Sequence, residues 1–497
     1  MTQPYSTTPS SLKDFDAFVC ASMQDWNVPG LALAIVKEDA VIYSQGFGKR
    51  NLAQDLNVTP RTLFSLASCT KAFTATALGI LVDEGKLDWD TPIKHYIPWF
   101  KLYDAFATER ITTRDLLTHR SGLPRHDLVG YNASCSRREL VERLQFLEPN
   151  KDLRYEWQYS NLMYMLAGYL CEVITGQRWE DFIQQRLLTP LGMTDSATST
   201  RDAQQSADFA LPYEEVDGEI REGKFVESNA MAPSGMGSIF SSGEEIARWL
   251  LLQLNKGRHG TTQLISESQM TQIHRPHIPG PDTQILDGLT FSSNAFGWRV
   301  ASYKNHRVVQ HAGGIDGFSC LVTVFPDDRI GVVVLTNKDR CYAPLPITMT
   351  ACDRLLGLEE NPWNEQVKRG YAFAMKMLAV QVQPTLKHVP GTSPSHPLAA
   401  YTGKFAHPGY GVALVQQDSD QLTFTYNART FPLIHYHFDT FEIEGLLDIE
   451  SSTKMYLSFT TNVNGEIESL AAKLEPQVKA IVFTRVADVQ RQEEVGE

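Results

Sequence analysis

Apolar residues form short runs near both ends of the first 355 residues, and helical periodicity fills the middle. Six of the short runs predict β-strands, at residues 30–37, 41–46, 295–300, 307–311, 319–325 and 330–336. Glu38-Asp39-Ala40 separates the first two runs as a hairpin turn, and Asp327-Asp328 separates the last two. A long, mostly helical stretch reaches about Leu254. This order predicts an α/β (α+β) unit whose N- and C-terminal strands pair in one antiparallel sheet, with helices packed on it.

The pattern changes after about Gly357. Residues 362–382 have helical periodicity, and residues 383–397 form a linker that contains four prolines. Seven short strand-like runs follow, at 411–416, 422–426, 431–437, 440–446, 454–460, 466–472 and 479–485. Asn464-Gly465 is a hairpin signal between two of them. Repeated short strands with turns predict a small β-barrel or sandwich.

These changes in pattern divide the chain of 497 residues into four parts. We expect a large domain at 1–357, a helix and proline-rich linker at 358–397, a β-barrel domain at 398–486, and a disordered polar tail at 487–497.

The barrel domain has two possible roles, as a cover over an active-site mouth or as an assembly surface. Five aromatic residues could line a pocket in it, although alternation along the strands favours a packed core: Phe424, Tyr426, Phe431, Tyr436 and Phe438.

Composition narrows the class of protein. The chain is 42% hydrophobic and 21% charged, which is ordinary for a globular protein. Its 58 acidic residues exceed its 45 lysines and arginines, and the net charge of −13 argues against general nucleic-acid binding. The polar start does not resemble a secretory signal, and no uninterrupted apolar stretch approaches the length of a membrane span. We therefore expect neither a nucleic-acid nor a membrane partner, while homo-oligomerisation stays open.

Seven cysteines are scattered along the chain without a C-x-x-C pair. An odd number of scattered cysteines is typical of free thiols in a reducing compartment, so we expect a cytoplasmic protein. The neighbours of Cys69 favour packing over nucleophilic chemistry for this thiol. No cluster of His, Cys and Asp has metal-ligand spacing, and the sequence predicts neither a metal nor a cofactor.

The most informative chemical motif is Ser68-Cys69-Thr70-Lys71. On a helix, a spacing of three residues puts the hydroxyl and the amine on one face, which places a nucleophile beside its base. The same spacing recurs in polar segments at Ser10/Lys13 and Ser451/Lys454, and by itself it also fits an N-cap serine with a solvated lysine. Context favours Ser68, because a run of helix formers begins there and Gly85 lies where a C-terminal glycine is expected.

Two further motifs supply groups that a serine nucleophile needs. Tyr159-Ser160-Asn161 precedes an apolar helix; a tyrosine can relay a proton if a nearby lysine lowers its pKa, and an asparagine can both donate to and accept from a substrate amide. His311-Ala312-Gly313-Gly314 begins a strand pair, where glycines at a strand edge admit a substrate backbone. Decoys occur at Tyr303/Asn305 and His407/Gly409, and packing or structural hydrogen bonding explains each motif taken singly.

Taken in order, Ser68-x-x-Lys71, Tyr159-x-Asn161 and His311-x-Gly313 resemble the motifs of penicillin-binding-protein and class C β-lactamase-like serine hydrolases. Three supporting segments resemble the same family: Asp115–Pro124, Gly235–Ser242 and Phe296–Trp298. The resemblance covers about residues 12–355 and implies a β-lactamase/transpeptidase-like antiparallel sheet with flanking helices and a helical subdomain. The module at 362–486 is similar to the lipocalin-like domain appended to some peptidases and peptide cyclases of the family.

The resemblance also implies roles for single residues. Ser68 matches the nucleophile, Lys71 the group that takes part in its deprotonation, and Tyr159 a tyrosinate or proton relay. Substrate binding would fall to Asn161, His311, Gly313 and Gly314, with the Ser68 and Gly314 N–H groups as the oxyanion site. His119 resembles a structural residue and is left out of the site.

One departure from the family pattern narrows the expected reaction. His311 stands where β-lactamases and transpeptidases have lysine, and a mostly neutral imidazole binds a substrate carboxylate less strongly. We therefore expect a hydrolase of amides or esters, acting on a small-molecule or peptide substrate through an acyl-Ser68 intermediate and resembling D-amino-acid-type peptidases. The alternatives are an esterase, a peptide cyclase or thioesterase with an amine acceptor, a β-lactamase, and a non-catalytic binding protein.

Overall fold

A nine-stranded antiparallel sheet organises the first part of the chain. The computed structural model describes residues 9–225, 234–280, 288–381, 386–447 and 454–486. The strands of this part are β1 (Gly30–Lys37), β2 (Ala40–Asn51), β3 (Leu56–Asn57), β4 (Phe64–Ser65), β5 (Tyr213–Val216), β6 (Glu219–Glu222), β7 (Phe240–Ser241), β8 (Arg258–His259), β9 (Thr262–Gln263), β10 (Ile278–Pro279), β11 (Leu289–Asn294), β12 (Arg299–Tyr303), β13 (His306–Ile315), β14 (Phe318–Phe325) and β15 (Ile330–Thr336). The large sheet has the order β10-β11-β12-β13-β14-β15-β1-β2-β3, and β4 with β7, β5 with β6 and β8 with β9 form two-stranded sheets.

The pairing of β1 with β15 confirms that the first and last strands share one sheet. Leu31 lies opposite Thr336, and Lys37 lies opposite Ile330. The predicted hairpin of β1 and β2 is also confirmed. The strand predicted at 295–300 is misplaced, because Gly297 adopts φ +74° and the strand begins after that turn, at Arg299. The mixed polar strand β11 was missed.

Helices cover both faces of the sheet. They are α1 (Phe15–Asp25), α2 (Thr70–Asp83), α3 (Ile93–Tyr96), α4 (Ala105–Arg110), α5 (Thr113–Leu117), α6 (Arg137–Arg143), α7 (Asn161–Thr175), α8 (Trp179–Ile183), α9 (Thr200–Ala203), α10 (Ser234–Gly237), α11 (Gly243–Leu254), α12 (Glu267–His274), α13 (Pro344–Leu356) and α14 (Trp363–Gln381). 3₁₀-helical turns lie at Ser10–Leu12, Ala67–Cys69, Asp127–Val129, Leu144–Phe146 and Leu398–Tyr401, and a π-helical segment lies at Gln184–Leu188. Alternation along β1 divides the core: Ala32, Ala34 and Val36 join the cluster that contains α2 and α7, and Leu31, Leu33 and Ile35 join the cluster that contains α1 and α13.

The C-terminal strands close into an eight-stranded antiparallel barrel, which confirms the barrel prediction. Its strands are β16 (Gly403–His407), β17 (Gly411–Asp418), β18 (Gln421–Tyr426), β19 (Arg429–His437), β20 (Thr440–Leu447), β21 (Lys454–Thr461), β22 (Ile467–Ala472) and β23 (Ile481–Arg485). β16 closes the barrel against β23, with Phe405 opposite Arg485, and is the strand that the sequence pattern missed. The predicted helix at 362–382 is confirmed as α14, while part of the proline-rich linker and the whole predicted tail at 487–497 lie outside the described residues.

The barrel interior is a packed core that continues into the helical part of the chain. Phe424, Tyr426 and Phe431 are buried in it, whereas Phe438 is 55% exposed on the outside. Buried apolar residues of the barrel belong to the same cluster as those around α2 and α7. The packed-core interpretation of these aromatic residues therefore holds for the three that are buried.

Candidate active site

Ser68 lies on a tight turn at the entrance to α2. The turn Ala67–Cys69 is 3₁₀-helical, and the α-helix begins at Thr70, two residues later than the sequence predicts. Ala67 adopts φ +43°, a left-handed conformation that costs free energy in a residue with a Cβ atom. Ala67 and Cys69 are buried, and Ser68 between them is partly exposed. The turn thus presents one hydroxyl to solvent from an otherwise buried segment.

Lys71 is buried completely, and its amine contacts the Ser68 hydroxyl. The Nζ atom donates to Ser68 Oγ at 3.0 Å and to the carbonyl oxygen of Met236 at 2.8 Å. Burial, together with the positive charge of Arg125, lowers the pKa of Lys71 to about 7. A substantial fraction of the amine is therefore neutral near pH 7 and able to accept a proton.

Tyr159 completes the contacts of the hydroxyl. Its Oη donates to Ser68 Oγ at 2.8 Å, and Lys71 Nζ lies 5.0 Å from the centre of its ring. The expected lowering of its pKa by Lys71 does not occur, because burial raises the pKa of Tyr159 to about 12 and outweighs the nearby positive charges. Tyr159 is therefore a neutral hydroxyl at pH 7, which fits a proton relay and not a tyrosinate.

Asn161 is the first residue of α7, and a carboxylate holds its side chain. Its Nδ2 donates to Asp127 Oδ1 at 2.9 Å, and Asp127 Oδ2 accepts from Arg125 Nε at 2.6 Å. Neither Arg125 nor Asp127 was predicted for the site. The sequence signal that could have pointed to them is their position directly after the family-like segment that ends at Pro124.

The strand β13 brings His311, Gly313 and Gly314 beside the nucleophile turn. A Cβ atom on Gly313 would lie 2.3 Å from the Leu66 carbonyl oxygen, so only glycine lets the strand approach this closely. Gly314 is exposed, with no atom within 4 Å of its would-be Cβ. Two buried thiols tie the strand to the turn, because Cys69 Sγ donates to the His311 carbonyl at 3.0 Å and Cys320 Sγ donates to that of Leu66 at 3.2 Å.

Half of β13 has an open side. β12 pairs with β13 through His306–Gln310, and β14 pairs with it from Val309 to Ile315. Among the described residues, nothing pairs with the other side of residues 311–315. β13 is thus an inner strand of the sheet, but at residues 311–315 one side of it is an exposed strand edge, as predicted from the glycines.

His311 is neutral at physiological pH. Burial lowers its pKa to about 3, and the charge of Lys71 contributes in the same direction. Its Nδ1 donates to the Ala312 carbonyl at 2.6 Å, because a carbonyl oxygen can only accept. His119 also lines the cleft; its Nδ1 accepts from the Ser160 N–H at 3.1 Å, and its ring packs against that of Tyr159.

A cleft of about 790 Å³ runs along these residues. Its lining includes Trp157, Tyr159, Arg299, His311, Gly313 and, from the barrel, Gln477. The Arg299 guanidinium lies 5.5 Å from the Trp157 ring centre and forms no ion pair with any described residue. Arg299 follows the family-like Phe296-Gly297-Trp298 segment and pairs in the sheet with Gln310, the residue before His311. Sequence reasoning missed Arg299 and Gln477.

The decoy motifs lie elsewhere in the described structure. The Tyr303 hydroxyl is buried and donates to Asp353, and His407 Nδ1 accepts N–H groups within the barrel. Ser451 lies outside the described residues.

Within the described ranges, no group of His, Cys, Asp and Glu could hold a metal ion, and no helix combines the length and apolar character needed to cross a membrane.

Comparison with known proteins identifies the family of this chain. Residues 15–344 match the model of the Beta-lactamase family, and residues 387–485 match a domain of unknown function, DUF3471. The chain belongs to the beta-lactamase family. Its sequence is 30% identical over 443 residues to the unguisins hydrolase ungD′ of Aspergillus campestris, covering 82% of this chain and 78% of that protein. It is 26% identical over 342 residues to the protein flp of Staphylococcus aureus, covering 68% and 65% of the two chains.

Solved structures share the fold. The octameric penicillin-binding protein homologue from Pyrococcus abyssi superposes with a TM-score of 0.62 at 22% identity, covering 95% of this chain and 100% of that one. The D-amino acid amidase from Ochrobactrum anthropi superposes with a TM-score of 0.56 at 22% identity, covering 69% and 98%. The resemblance to penicillin-binding-protein-like serine hydrolases is thereby confirmed, as is the mixed α/β fold with its C-terminal barrel.

Proposed function

We propose that this protein is a serine hydrolase that cleaves a peptide amide bond through an acyl-Ser68 intermediate. The observation that carries the proposal is the environment of one oxygen: Ser68 Oγ accepts from Lys71 Nζ at 3.0 Å and from Tyr159 Oη at 2.8 Å. A serine hydroxyl needs a base within hydrogen-bond reach, and a lysine whose pKa lies at about 7 supplies one at neutral pH.

In the proposed acylation, neutral Lys71 takes the Ser68 proton while Oγ attacks the carbonyl carbon of the substrate. The carbonyl π-bond opens to a tetrahedral oxyanion, which the N–H groups of Ser68 and Gly314 would stabilise. Collapse breaks the carbon–nitrogen bond, and the leaving nitrogen takes the proton of Tyr159. Proton transfer from Lys71 to Tyr159 then returns both side chains to their neutral forms.

Deacylation uses the same groups with water as the nucleophile. Neutral Lys71 removes a proton from the water, whose oxygen attacks the acyl carbon. Collapse of this second intermediate releases the carboxylic acid, and Ser68 Oγ recovers a proton from Lys71. No group outside Ser68, Lys71 and Tyr159 is needed to balance the protons.

The cleft also bears on the class of substrate. Neutral His311 supplies no positive charge, whereas the guanidinium of Arg299, which forms no ion pair with the part of the chain that the structure describes, lies on the neighbouring strand. Burial lowers the pKa of Arg299, which reflects the cost of removing this charge from water. We infer that Arg299 binds a carboxylate of the substrate. The names of an unguisins hydrolase and a D-amino acid amidase among the similar proteins support a peptide or amino-acid amide.

Acylation by a fluorophosphonate, read by intact mass, tests the nucleophile. We expect one adduct on the wild type and none on Ser68→Ala. Ser10→Ala is the matched control, because Ser10 belongs to the same Ser-x-x-Lys spacing but is exposed far from the motif residues in sequence. Labelling of Ser68→Ala would rule out the assignment.

A substrate panel then separates the related reactions. D- and L-peptide amides, esters and β-lactams are incubated with the protein, and adducts and products are identified by mass. Amide cleavage with release of the free acid supports the proposal. Turnover of esters alone identifies an esterase, and a product joined to an amine identifies a cyclase. Binding without any adduct identifies a non-catalytic protein.

A further inference from the structure

The β22–β23 loop of the barrel, residues 473–480, contacts the segment that leads into the site. Glu475 in this loop is 4% exposed, and its Oε2 accepts from the backbone N–H of His126 at 2.8 Å. Its Oε1 accepts from the Gln477 N–H at 3.1 Å, so one carboxylate both shapes the loop and binds the segment. The hydrogen bond between Glu475 and His126 joins residues that are 349 positions apart in sequence.

His126 is held in an unfavourable backbone conformation by these contacts. It adopts φ +44° and ψ +34°, which a residue with a Cβ atom rarely does without support. Its Nε2 donates to the Glu148 carbonyl at 3.0 Å, so its Nδ1 accepts from the hydroxyl of Tyr410 in the barrel at 2.7 Å. Both the backbone and the ring of His126 are therefore bound by barrel residues.

The next residue carries this restraint into the site. Asp127 follows His126 directly, and its carboxylate accepts from Asn161 Nδ2 at 2.9 Å. The conformation of His126 sets the direction in which Asp127 leaves the turn, and Asp127 sets the orientation of the Asn161 amide. Hydrogen bonds from the barrel to His126, the peptide link from His126 to Asp127 and the hydrogen bond from Asn161 to Asp127 thus connect the barrel to Asn161.

A second set of contacts reaches the other end of the same motif. Gln477 Oε1 accepts from Asn150 Nδ2 at 2.7 Å and from Gln158 Nε2 at 3.3 Å. Gln158 is 9% exposed and directly precedes Tyr159. Its Nε2 also donates to Asn150 Oδ1 at 2.7 Å, which closes a small amide network beside the site.

We propose that Tyr410, Glu475 and Gln477 of the barrel are positioning residues that fix Tyr159 and Asn161 for catalysis. The proposal rests on the proposed function, because it assigns a purpose to residues whose own role depends on acyl transfer at Ser68. In this arrangement the barrel is a structural part of the active site, and its loop sets the orientation of the amide that faces the substrate.

The test is a double-mutant cycle between Tyr410→Phe and Asn161→Ala in the full chain. Tyr410→Phe removes one hydroxyl and its hydrogen bond to His126. The matched control is Tyr436→Phe, which removes a hydroxyl of the same barrel that donates to the Leu386 carbonyl at 2.7 Å. The readouts are kcat and KM for the best substrate of the panel, and the rate of fluorophosphonate labelling, a reaction that presents no substrate amide to Asn161.

We expect Tyr410→Phe to lower kcat/KM about tenfold, mainly through KM, in the wild-type background. In the Asn161→Ala background the same substitution should change kcat/KM by less than about twofold, because its effect passes through Asn161. Fluorophosphonate labelling, and every readout of Tyr436→Phe, should stay within about twofold of the parent protein.

Three results would overturn the positioning role. These are an unchanged kcat/KM in Tyr410→Phe, an equal loss in both backgrounds, and a parallel loss of labelling that indicates general damage to the fold. Failure of the proposed function gives a different result, since the wild type would then form no adduct or turn over no member of the panel.

Discussion

At the scale of single residues, Lys71 decides what the Ser68 hydroxyl can do. A solvated lysine stays protonated at neutral pH and cannot act as a base. Lys71 is buried completely, with its amine held between Ser68 and the Met236 carbonyl, and its pKa falls to about 7. Burial thus destabilises the charged form of Lys71, so that a large fraction of the amine is neutral at pH 7 and can accept the Ser68 proton.

The pH dependence of acylation tests this assignment. Below pH 7 Lys71 is protonated, so the second-order rate of acylation should rise about tenfold per pH unit up to about pH 6 and level off above about pH 8. Arg125→Gln should move the midpoint to higher pH, because the Arg125 charge helps to lower the pKa of Lys71. The measurement is the second-order rate of fluorophosphonate labelling between pH 5 and pH 8. A rate that stays constant over this range would contradict the role of Lys71 as the base.

Two adjacent glycines give a matched test of the close contact beside the nucleophile. A Cβ atom on Gly313 would lie 2.3 Å from the Leu66 carbonyl oxygen and 2.6 Å from Cys320 Sγ, whereas one on Gly314 meets nothing within 4 Å. We expect Gly313→Ala to lower the free energy of unfolding by about 3 kcal/mol and Gly314→Ala by less than about 1 kcal/mol. Urea unfolding measures both, and equal values for the two variants would refute the close approach.

At the scale of elements, the helix α7 is the support for the second motif. It begins at Asn161, and its C-terminal part is joined to neighbouring helices by a charge cluster around the buried side chain of Arg137. Arg137 in α6 is 4% exposed and binds Glu172 of α7 and Glu180 of α8. This cluster fixes the angle between three helices and therefore the place where α7 presents Asn161.

Two neighbouring arginines of α6 allow the stabilisation by the charge cluster around Arg137 to be compared with that by an exposed ion pair. Arg137→Ala leaves two glutamates without their buried partner and should lower the free energy of unfolding by about 3–5 kcal/mol. Arg138, which forms an exposed ion pair with Glu142, provides the control. Arg138→Ala should change the free energy of unfolding by less than about 1 kcal/mol. Chemical denaturation provides both numbers. Similar losses in the two variants would show that the cluster adds no more than surface pairs do.

The local pattern of hydrophobic residues correctly predicts the strands that consist of continuous buried apolar residues. β14 and β15 are buried along their full length, and the corresponding sequence runs predict both strands correctly. β11 and β16 were missed because polar residues interrupt their alternation. The strand before the third motif was misplaced because its boundary depends on the left-handed turn at Gly297.

In the candidate site, too, residues within short motifs could be predicted from the sequence, whereas residues placed by tertiary packing could not. Ser68 and Lys71 could be predicted together because they lie within one helical turn of each other, and Tyr159 and Asn161 because they are only two residues apart. Arg299 and Gln477 carry no such local signal. Gln477 reaches Gln158 across 319 positions of sequence, so its place in the cleft depends on how the barrel packs. The raised pKa of Tyr159 likewise depends on burial that its immediate sequence does not encode.

At the scale of the whole molecule, the barrel and the helical region are joined by buried contacts. Their apolar residues form one cluster, and polar contacts surround the junction. Asn427, in the turn between β18 and β19, donates from Nδ2 to the carbonyl oxygens of Leu128 at 2.6 Å and Tyr131 at 3.1 Å. These bonds hold the short helix that carries Asp127 against the barrel, so the two units should unfold together.

Substitution at this junction tests the coupling. Asn427→Asp places a carboxylate against two carbonyl oxygens and removes both donors, so the free energy of unfolding should fall by about 1–3 kcal/mol. Asn464→Asp, in the exposed hairpin between β21 and β22, is the control and should have almost no effect. Calorimetry should show a single transition for both variants. Separate melting of barrel and sheet in the wild type would contradict the coupling.

The open side of residues 311–315 has a consequence for what the cleft can select. A peptide lying there in an extended conformation could hydrogen-bond to the strand and extend the sheet by β-strand addition. Recognition would then depend on the N–H and C=O groups of the substrate, which all residues except proline provide in full. The protein would accept varied side chains along that stretch, yet discriminate against proline or an N-methylated residue at any position whose N–H must pair with β13.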